Sequence, residues 1–192
     1  VGNIDLSTTV FGKKIDFPLF LSATSMNRLY HHQGERATAE AAKKMGAMFG
    51  ISTMSTVSIE EIGKLTNNPK LFQLYIHKDR GLTDNLIERC ENANFDAMCL
   101  TVDTVVAGNR ERDHRTGFST PPRLTLGSLL SFILHPDWSL NYLFREKFKL
   151  ANIVHMTEKG SSIDRSVIGY INEQFDPSMN WKDAEYCVKK WK

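Results

Sequence analysis

Four short apolar runs in the first half of the chain predict buried β-strands. Each run is nearly continuous rather than alternating, which is typical of parallel strands that are covered on both faces. The runs begin at residues 18, 47, 71 and 97, so one strand, one helix and two loops fit each interval. The predicted strands are Pro18–Ala23, Ala47–Ile51, Leu71–Ile76 and Ala97–Val102.

The segments between these runs have helical patterns. Gln33–Met45 is rich in alanine and lysine, and Gly46 follows it as a residue that favours a helix C-terminus. Ser58 begins a segment with the spacing of an N-terminal capping box, and Leu82–Ala93 places its apolar residues on one stripe. The resulting order, β-α-β-α-β-α-β, predicts the α/β class.

The chain departs from this repeat on either side. Residues 1–16 predict a hairpin or a capping arm ahead of the first strand. Residues 104–178 break the rhythm and are interpreted as a long insertion after strand four, in which 151–176 is polar and loop-like. Asn180 is then a candidate cap for a last helix. We interpret residues 1–192 as one partial domain.

The composition is that of a soluble globular domain, with 41% apolar and 24% charged residues. A net charge of +2 is too small to indicate a nucleic-acid partner. No apolar run approaches about 18 residues, so no spanning helix is predicted, and no leader marks the chain for secretion. The 192 residues fall short of the roughly 250 of a complete eight-fold β/α barrel.

The cysteines and histidines give no metal or disulfide signal. Three cysteines, odd in number and far apart, favour a reducing and therefore cytoplasmic compartment. Cys99 lies in an apolar run, and we expect it in the core. His31 and His32 are adjacent and cannot share a helix face as metal ligands would, so we predict no metal site.

Polar side chains follow the carboxyl ends of all four predicted strands. In parallel α/β folds that edge of the sheet is where ligands bind. No G-x-G-x-x-G turn follows the first strand, so a barrel mouth fits better than the single crevice of an open doubly wound sheet. The candidate residues are Thr24, Ser25, Ser52, Gln73, Tyr75, Thr101 and Asp103.

The alternation of side chains along a strand supports a common location for four of these candidates. Gln73 and Tyr75 are two positions apart and share one face of their strand, and the same holds for Thr101 and Asp103. For Thr24 or Ser52 alone, helix capping and ligand binding are equally good interpretations. A buried amide such as Gln73 must find hydrogen-bond partners, which either a ligand or the backbone could supply.

A further set of short motifs occurs in order along the chain. They are residues 4–8 with Gly12, 17–26, 34–35, 51–53, 72–75 with 78–80, 100–104, Gly108 with 110–113, 117–118 with 121–122, and 181–183. Together they resemble the FMN-dependent α-hydroxy-acid dehydrogenases and oxidases. Residues 107–112 and the long insertion are most similar to the bacterial L-lactate dehydrogenases of that family.

The resemblance implies a (β/α)8 TIM barrel, of which about the first four β/α units are present, and FMN as the cofactor. It implies that the turn after strand one lies against the flavin and that three strand-end side chains hydrogen-bond the flavin ring. The turn residues are Ala23, Thr24 and Ser25, and the ring-binding residues are Ser52, Gln73 and Thr101. Alanine replaces the proline that is usual at position 23, a departure also met in lactate-specific members.

The resemblance also implies roles toward a substrate. Tyr75 would bond the substrate oxygen, Asp103 would orient and charge-stabilise a catalytic histidine, and Arg110 would lie near the substrate carboxylate. Met54 falls where the family varies its pocket wall. The implied reaction is oxidation of an (S)-2-hydroxy acid, first of all L-lactate to pyruvate, as a base removes the hydroxyl proton and a hydride equivalent passes to flavin N5.

Other functions stay open at this point. The chain could belong to an (S)-2-hydroxy-acid oxidase that uses oxygen, or form a non-catalytic half-barrel that acts as a binding or assembly module. The resemblance places the base histidine, its arginine partner, a lysine and the phosphate site on strands after the fourth. We therefore expect this chain to be a fragment without activity on its own.

The partners implied are a small 2-hydroxy acid and a quinone or cytochrome as electron acceptor, with a homo-oligomer at full length. The apolar segment Leu124–Leu143 has two interpretations, a flap over the barrel mouth or an interfacial anchor on the inner face of the cell membrane. Trp138 and Tyr142 suit the headgroup level, and the anchor is the favoured interpretation.

Overall fold

The computed structural model describes residues 2–103, 109, 111–117, 125–153 and 174–191. Each predicted apolar run overlaps a strand of the structure; β3 and β6 are shorter than their runs, β4 ends one residue after its run, and β5 begins one residue before its run. In chain order the strands are β1 (Thr8–Val10), β2 (Lys13–Ile15), β3 (Phe20–Leu21), β4 (Met48–Ser52), β5 (Lys70–Leu74) and β6 (Ala97–Leu100). The α-helices are α1 (Glu35–Lys44), α2 (Ile59–Leu65), α3 (Arg80–Asn92), α4 (Glu111–Thr116), α5 (Leu126–Leu134), α6 (Pro136–Phe144) and α7 (Trp181–Lys190).

Strands β3 to β6 form one parallel sheet in sequential order, which confirms the predicted α/β fold. Helices α1, α2 and α3 connect successive strands and cover one face of the sheet. The core between that face and the helices includes Ala39, Ala42, Phe49, Ile51, Ile59, Ile62, Phe72, Leu74, Leu86 and Cys90. Sequential parallel strands with helices on one side are the arrangement of a β/α barrel wall.

The other face of the sheet is only partly covered. Along β5, Phe72 and Leu74 are buried on the helix side, whereas Leu71 and Gln73 are half-buried on the opposite side. Cys99 pairs with Gln73 in register and is exposed, so its expected place in the core is wrong. The reason is that β6 is the outermost strand of the sheet in the described part of the chain, and nothing there covers its inner face.

The hairpin of β1 and β2 lies at the amino ends of the sheet strands. The Asp16 amide donates to the Gly46 carbonyl at 2.9 Å, and Lys13 forms an ion pair with Asp96 at 2.5 Å. Gly46 has a φ of +61°, and a Cβ there would lie 2.5 Å from the Asp16 carboxylate, so the contact requires glycine. The hairpin therefore occupies the end opposite the predicted rim and leaves the rim open.

Residues 150–153, within the insertion, lie against the carboxyl end of β4 and the start of α2. Asn152 is buried; its Oδ1 accepts from the Ile59 amide at 2.9 Å, and its Nδ2 donates to Ser55 Oγ at 2.8 Å. The beginning of the segment that sequence analysis assigned to a polar loop is therefore buried. This one amide side chain thus bonds a carbonyl at the end of β4, a hydroxyl of the β4–α2 connection and the first amide of α2, across a separation of about a hundred residues.

Residues 174–176 return to the sheet, beside the extension of β5. The Lys78 amide donates to the Gln174 carbonyl at 2.8 Å, and the Asp176 amide donates to the Ile76 carbonyl at 3.2 Å. Between them His77 is fully buried, with its ring edge-on to Phe175 at a centroid distance of 5.3 Å. Burial lowers the pKa of His77 to about 4.

This buried imidazole makes stability depend on pH. Its folded pKa lies below the unfolded value of about 6.5, so the unfolded state binds more protons in between; the stabilisation is present above pH 6.5 and is lost as the pH falls toward 4. We expect the titration of His77 to lower the free energy of unfolding by about 2 kcal/mol between pH 7 and pH 5. Urea unfolding at pH 7 and pH 5 should show this loss in the wild type, reduced in His77→Leu and retained in the exposed control His114→Gln. An equal loss in His77→Leu would contradict the assignment.

Candidate functional site

A chain of side-chain hydrogen bonds crosses the carboxyl ends of the four sheet strands. Ser52 Oγ donates to Gln73 Oε1 at 2.6 Å, and Gln73 Nε2 donates to Thr101 Oγ1 at 2.5 Å. Ser25 Oγ lies 3.2 Å from Ser52 Oγ. The structure thus brings together four of the residues that the sequence singled out, one from each strand end, and we call them the rim relay.

The strand register explains why these side chains meet. Ser52 on β4 pairs with Gln73 on β5, which pairs with Cys99 on β6, and Thr101 is two residues beyond Cys99 on the same side. Ser52 Oγ also accepts from the Met54 amide at 3.2 Å, so this hydroxyl serves both the local turn and the relay. The partners of the Gln73 amide are therefore side-chain hydroxyls on both sides.

The turn after β3 lies close above β4 at Gly50. A Cβ at this glycine would lie 3.1 Å from the Ala23 amide nitrogen and 3.0 Å from the Phe20 ring, which is tighter than ordinary contact. The absence of a side chain therefore lets the backbone at Ala23 approach the sheet. Thr24 is exposed, and its hydroxyl donates to Asn27 Oδ1 at 3.0 Å, so that hydroxyl stabilises the turn.

Tyr75 lies beside the relay, and a residue that sequence analysis missed holds its ring. The Tyr75 ring stacks on Phe175, with centroids 4.6 Å apart and planes inclined by 23°. Phe175, Ile153 and Met54 are buried in one cluster against which Tyr75 packs. In the sequence Phe175 is one of several apolar residues in the segment 151–176, with polar neighbours on both sides, and no local signal links it to Tyr75 a hundred positions earlier.

Glu35 is a second residue whose structural role the sequence did not reveal. Its carboxylate is 1% exposed and accepts from Thr56 Oγ1 at 2.6 Å, from the Thr56 amide at 3.0 Å and from the Asn27 amide at 3.2 Å. It therefore ties the turn after β3 to the loop after β4. A buried carboxylate with three donors is well satisfied and stiffens this part of the rim.

The remaining candidates are less constrained. Asp103 is exposed two residues beyond Thr101, at the same edge of the sheet. Arg110 lies outside the described residues, so its place near a substrate carboxylate stays a prediction. Within the described ranges, no group of three or more histidine, cysteine, aspartate or glutamate side chains could hold a metal ion.

The chain is similar to curated L-lactate dehydrogenases over its whole length. It is 34% identical over 193 residues to the enzyme of Allorhizobium ampelinum and 35% identical over 193 residues to that of Xanthobacter autotrophicus. These alignments cover all of this chain and 50% and 49% of the two relatives. The chain therefore spans about half the length of the curated relatives it matches.

Solved structures show the same fold. An (S)-mandelate dehydrogenase described as a monotopic membrane protein superposes with a TM-score of 0.87 at 30% identity, over 98% of this chain and 49% of that one. A mandelate oxidase superposes with a TM-score of 0.71 at 27% identity, over 97% and 44% of the two chains. The family model described as FMN-dependent dehydrogenase matches residues 1–192. The chain belongs to the FMN-dependent dehydrogenase family.

Proposed function

We propose that this chain forms the flavin-facing and substrate-facing rim of an FMN-dependent (S)-2-hydroxy-acid dehydrogenase, with L-lactate as the substrate. The rim relay carries the proposal: four polar side chains from four strands are joined by hydrogen bonds on the open face of a parallel sheet. The family is FMN-dependent, and curated relatives of this chain are L-lactate dehydrogenases.

The residues of the rim suit FMN in two respects. The Gln73 amide uses one N–H and one oxygen lone pair in the relay, so a second N–H and a second lone pair remain for a ligand. The edge of the flavin ring carries both donors and acceptors that could bond them. The open inner face beside Leu71 and Gln73 leaves room for a planar ring, and Gly50 brings the Ala23 backbone toward it. When bound, FMN would accept the two electrons that the substrate loses.

The chain's own side chains would then bind and orient the substrate. The Tyr75 hydroxyl would hydrogen-bond a substrate oxygen, and the Arg110 guanidinium would pair with the carboxylate. Asp103 would accept from the imidazole of the catalytic histidine and stabilise its charged form after it takes the hydroxyl proton. Loss of two electrons and two protons converts the 2-hydroxy acid to the 2-oxo acid.

A quinone or a cytochrome is the electron acceptor that fits a dehydrogenase, and we propose a homo-oligomer for the full-length protein. An oxidase that uses oxygen is the second candidate, because oxidases also occur among the structural neighbours. The two are separated by lactate turnover with a dye in the absence of oxygen and by peroxide formation in its presence. A non-catalytic module would show neither activity.

Gln73 provides a direct test of the flavin site. Replacing it with leucine removes the central amide and leaves two hydroxyls without their partner, so we expect the Kd for FMN to rise about 10-fold. Titration of the flavin-free, full-length protein by flavin fluorescence measures this change. The exposed Gln33→Leu is the matched control and should bind FMN like the wild type. Equal Kd values for both variants would rule out a flavin contact at Gln73.

Tyr75 tests the substrate contact. Tyr75→Phe keeps the ring and its stacking but removes the hydroxyl, so we expect kcat/KM for L-lactate to fall at least about 10-fold with unchanged FMN content. The assay is lactate-dependent dye reduction by the full-length protein. Tyr30→Phe, at a side chain that is 70% exposed, serves as the control. Wild-type kcat/KM in Tyr75→Phe would remove Tyr75 from the mechanism.

The helices of the insertion favour membrane contact over a flap. On α5 and α6 the leucine and isoleucine side chains and Phe144 are exposed, with Ile133 and Phe144 at 73% and 80%, whereas Phe132, Trp138 and Tyr142 stack on one another and are half-buried. Trp138 is turned inward instead, and its indole nitrogen donates to the Leu29 carbonyl at 2.8 Å. No helix in the described ranges is long and apolar enough to cross a membrane. From the exposed apolar side chains of α5 and α6, we propose peripheral contact with the cytoplasmic face of the membrane through this segment.

Polar substitutions on these helices test the contact. Replacing Ile133 and Leu134 with asparagine removes two exposed apolar side chains, and we expect partitioning onto anionic phospholipid vesicles to fall about 10-fold. Co-sedimentation of the full-length protein with vesicles gives the partition coefficient. Ile4→Asn, at an apolar residue that is 76% exposed on the arm, should leave it unchanged. Unaltered partitioning of the double variant would refute membrane contact through this segment.

A further inference from the structure

We propose that Phe175 is a positioning residue for Tyr75. The inference rests on the proposed contact between Tyr75 and the substrate oxygen. The stacked pair, with centroids 4.6 Å apart and planes inclined by 23°, joins a rim residue just beyond β5 to a segment near the end of the insertion. Phe175 itself is 3% exposed, so its ring has little freedom of its own.

The backbone of Phe175 is fixed on both sides. The Lys78 amide donates to the Gln174 carbonyl at 2.8 Å, and the Asp176 amide donates to the Ile76 carbonyl at 3.2 Å. These two bonds make a short antiparallel pairing with His77 opposite Phe175. The segment that carries Phe175 is therefore bonded to the same stretch of chain that carries Tyr75.

Charged groups hold the far end of this pairing. Arg80 Nη2 lies 2.6 Å from the Asp176 carboxylate and 2.8 Å from that of Asp183 on α7. Ser178 donates to the other Asp176 oxygen through its amide at 2.8 Å and its hydroxyl at 2.6 Å. Displacement of Phe175 would break several of these hydrogen bonds and ion pairs at once, so they hold the Phe175 backbone in place.

A fixed ring beside Tyr75 restricts the phenol. The hydroxyl oxygen lies on the long axis of its ring, so χ1, which sets the direction of that axis, determines where the oxygen lies. The stacked Phe175 ring prevents the phenol from swinging toward it about χ1, as a smaller neighbour would allow, and Met54 and Ile153 belong to the same cluster. Loss of the Phe175 ring should therefore disorder the hydroxyl without removing it, and misplacement of a substrate-binding group lowers the rate.

A double-mutant cycle in the full-length, FMN-loaded protein tests this. We expect Phe175→Leu to lower kcat/KM for L-lactate about 3- to 10-fold, and Phe175→Tyr, which keeps a ring, to retain activity within about 2-fold. In the Tyr75→Phe background, where no hydroxyl remains to be positioned, Phe175→Leu should have no further effect. FMN content per subunit should be the same in all variants.

Phe95→Leu is the matched structural control. Phe95 is also buried and packs edge-on against Phe72, but it lies in the core cluster on the helix side of the sheet. It should lower Tm and leave kcat/KM unchanged. Equal losses from Phe175→Leu in both backgrounds, or none in either while Tyr75→Phe is impaired, would overturn the positioning role alone. Full activity in Tyr75→Phe would overturn the substrate contact and the positioning role with it.

Discussion

The parallel pairing of β4 with β5 and of β5 with β6 is the constraint on which the rim depends. It sets Ser52 opposite Gln73 and brings Thr101 to the same face two residues beyond Cys99. A register shift of one residue would turn the Gln73 amide toward the apolar helix side, where it would lose both hydroxyl partners. Burial of Phe72 and Leu74 on that side opposes such a shift, so the apolar core fixes the position of the polar site.

Contacts from three other parts of the chain fix the rim around the rim relay. Glu35 joins the turn after β3 to the loop after β4, Asn152 joins the insertion to α2, and Phe175 stacks on Tyr75. The β1–β2 hairpin lies at the other end of the strands. One end of the sheet is thus covered, and the other presents polar groups on a supported frame, which is how a fold combines stability with a binding site.

The two faces of the sheet differ in kind. The helix side is a closed apolar core, whereas the inner side of β5 and β6 stays partly open in the described part of the chain and carries the rim relay. Outside the sheet, the exposed apolar surface of α5 and α6 is a separate feature, joined to the rim region through the bond from Trp138 to the Leu29 carbonyl. This arrangement puts a proposed membrane contact next to the turn that follows the proposed flavin turn.

The sequence by itself determined the α/β class, the order of the strands and the polar groups at their ends. These follow from continuous apolar runs, helix caps and side-chain alternation, which are local properties of the chain. Only the tertiary structure decided that Gln73 bonds hydroxyls on both neighbouring strands, that Cys99 is exposed and that Phe175 and Asn152 support the rim. Those features depend on the register of neighbouring strands, on which strand is outermost and on contacts between residues separated by about a hundred positions, and no local pattern encodes them.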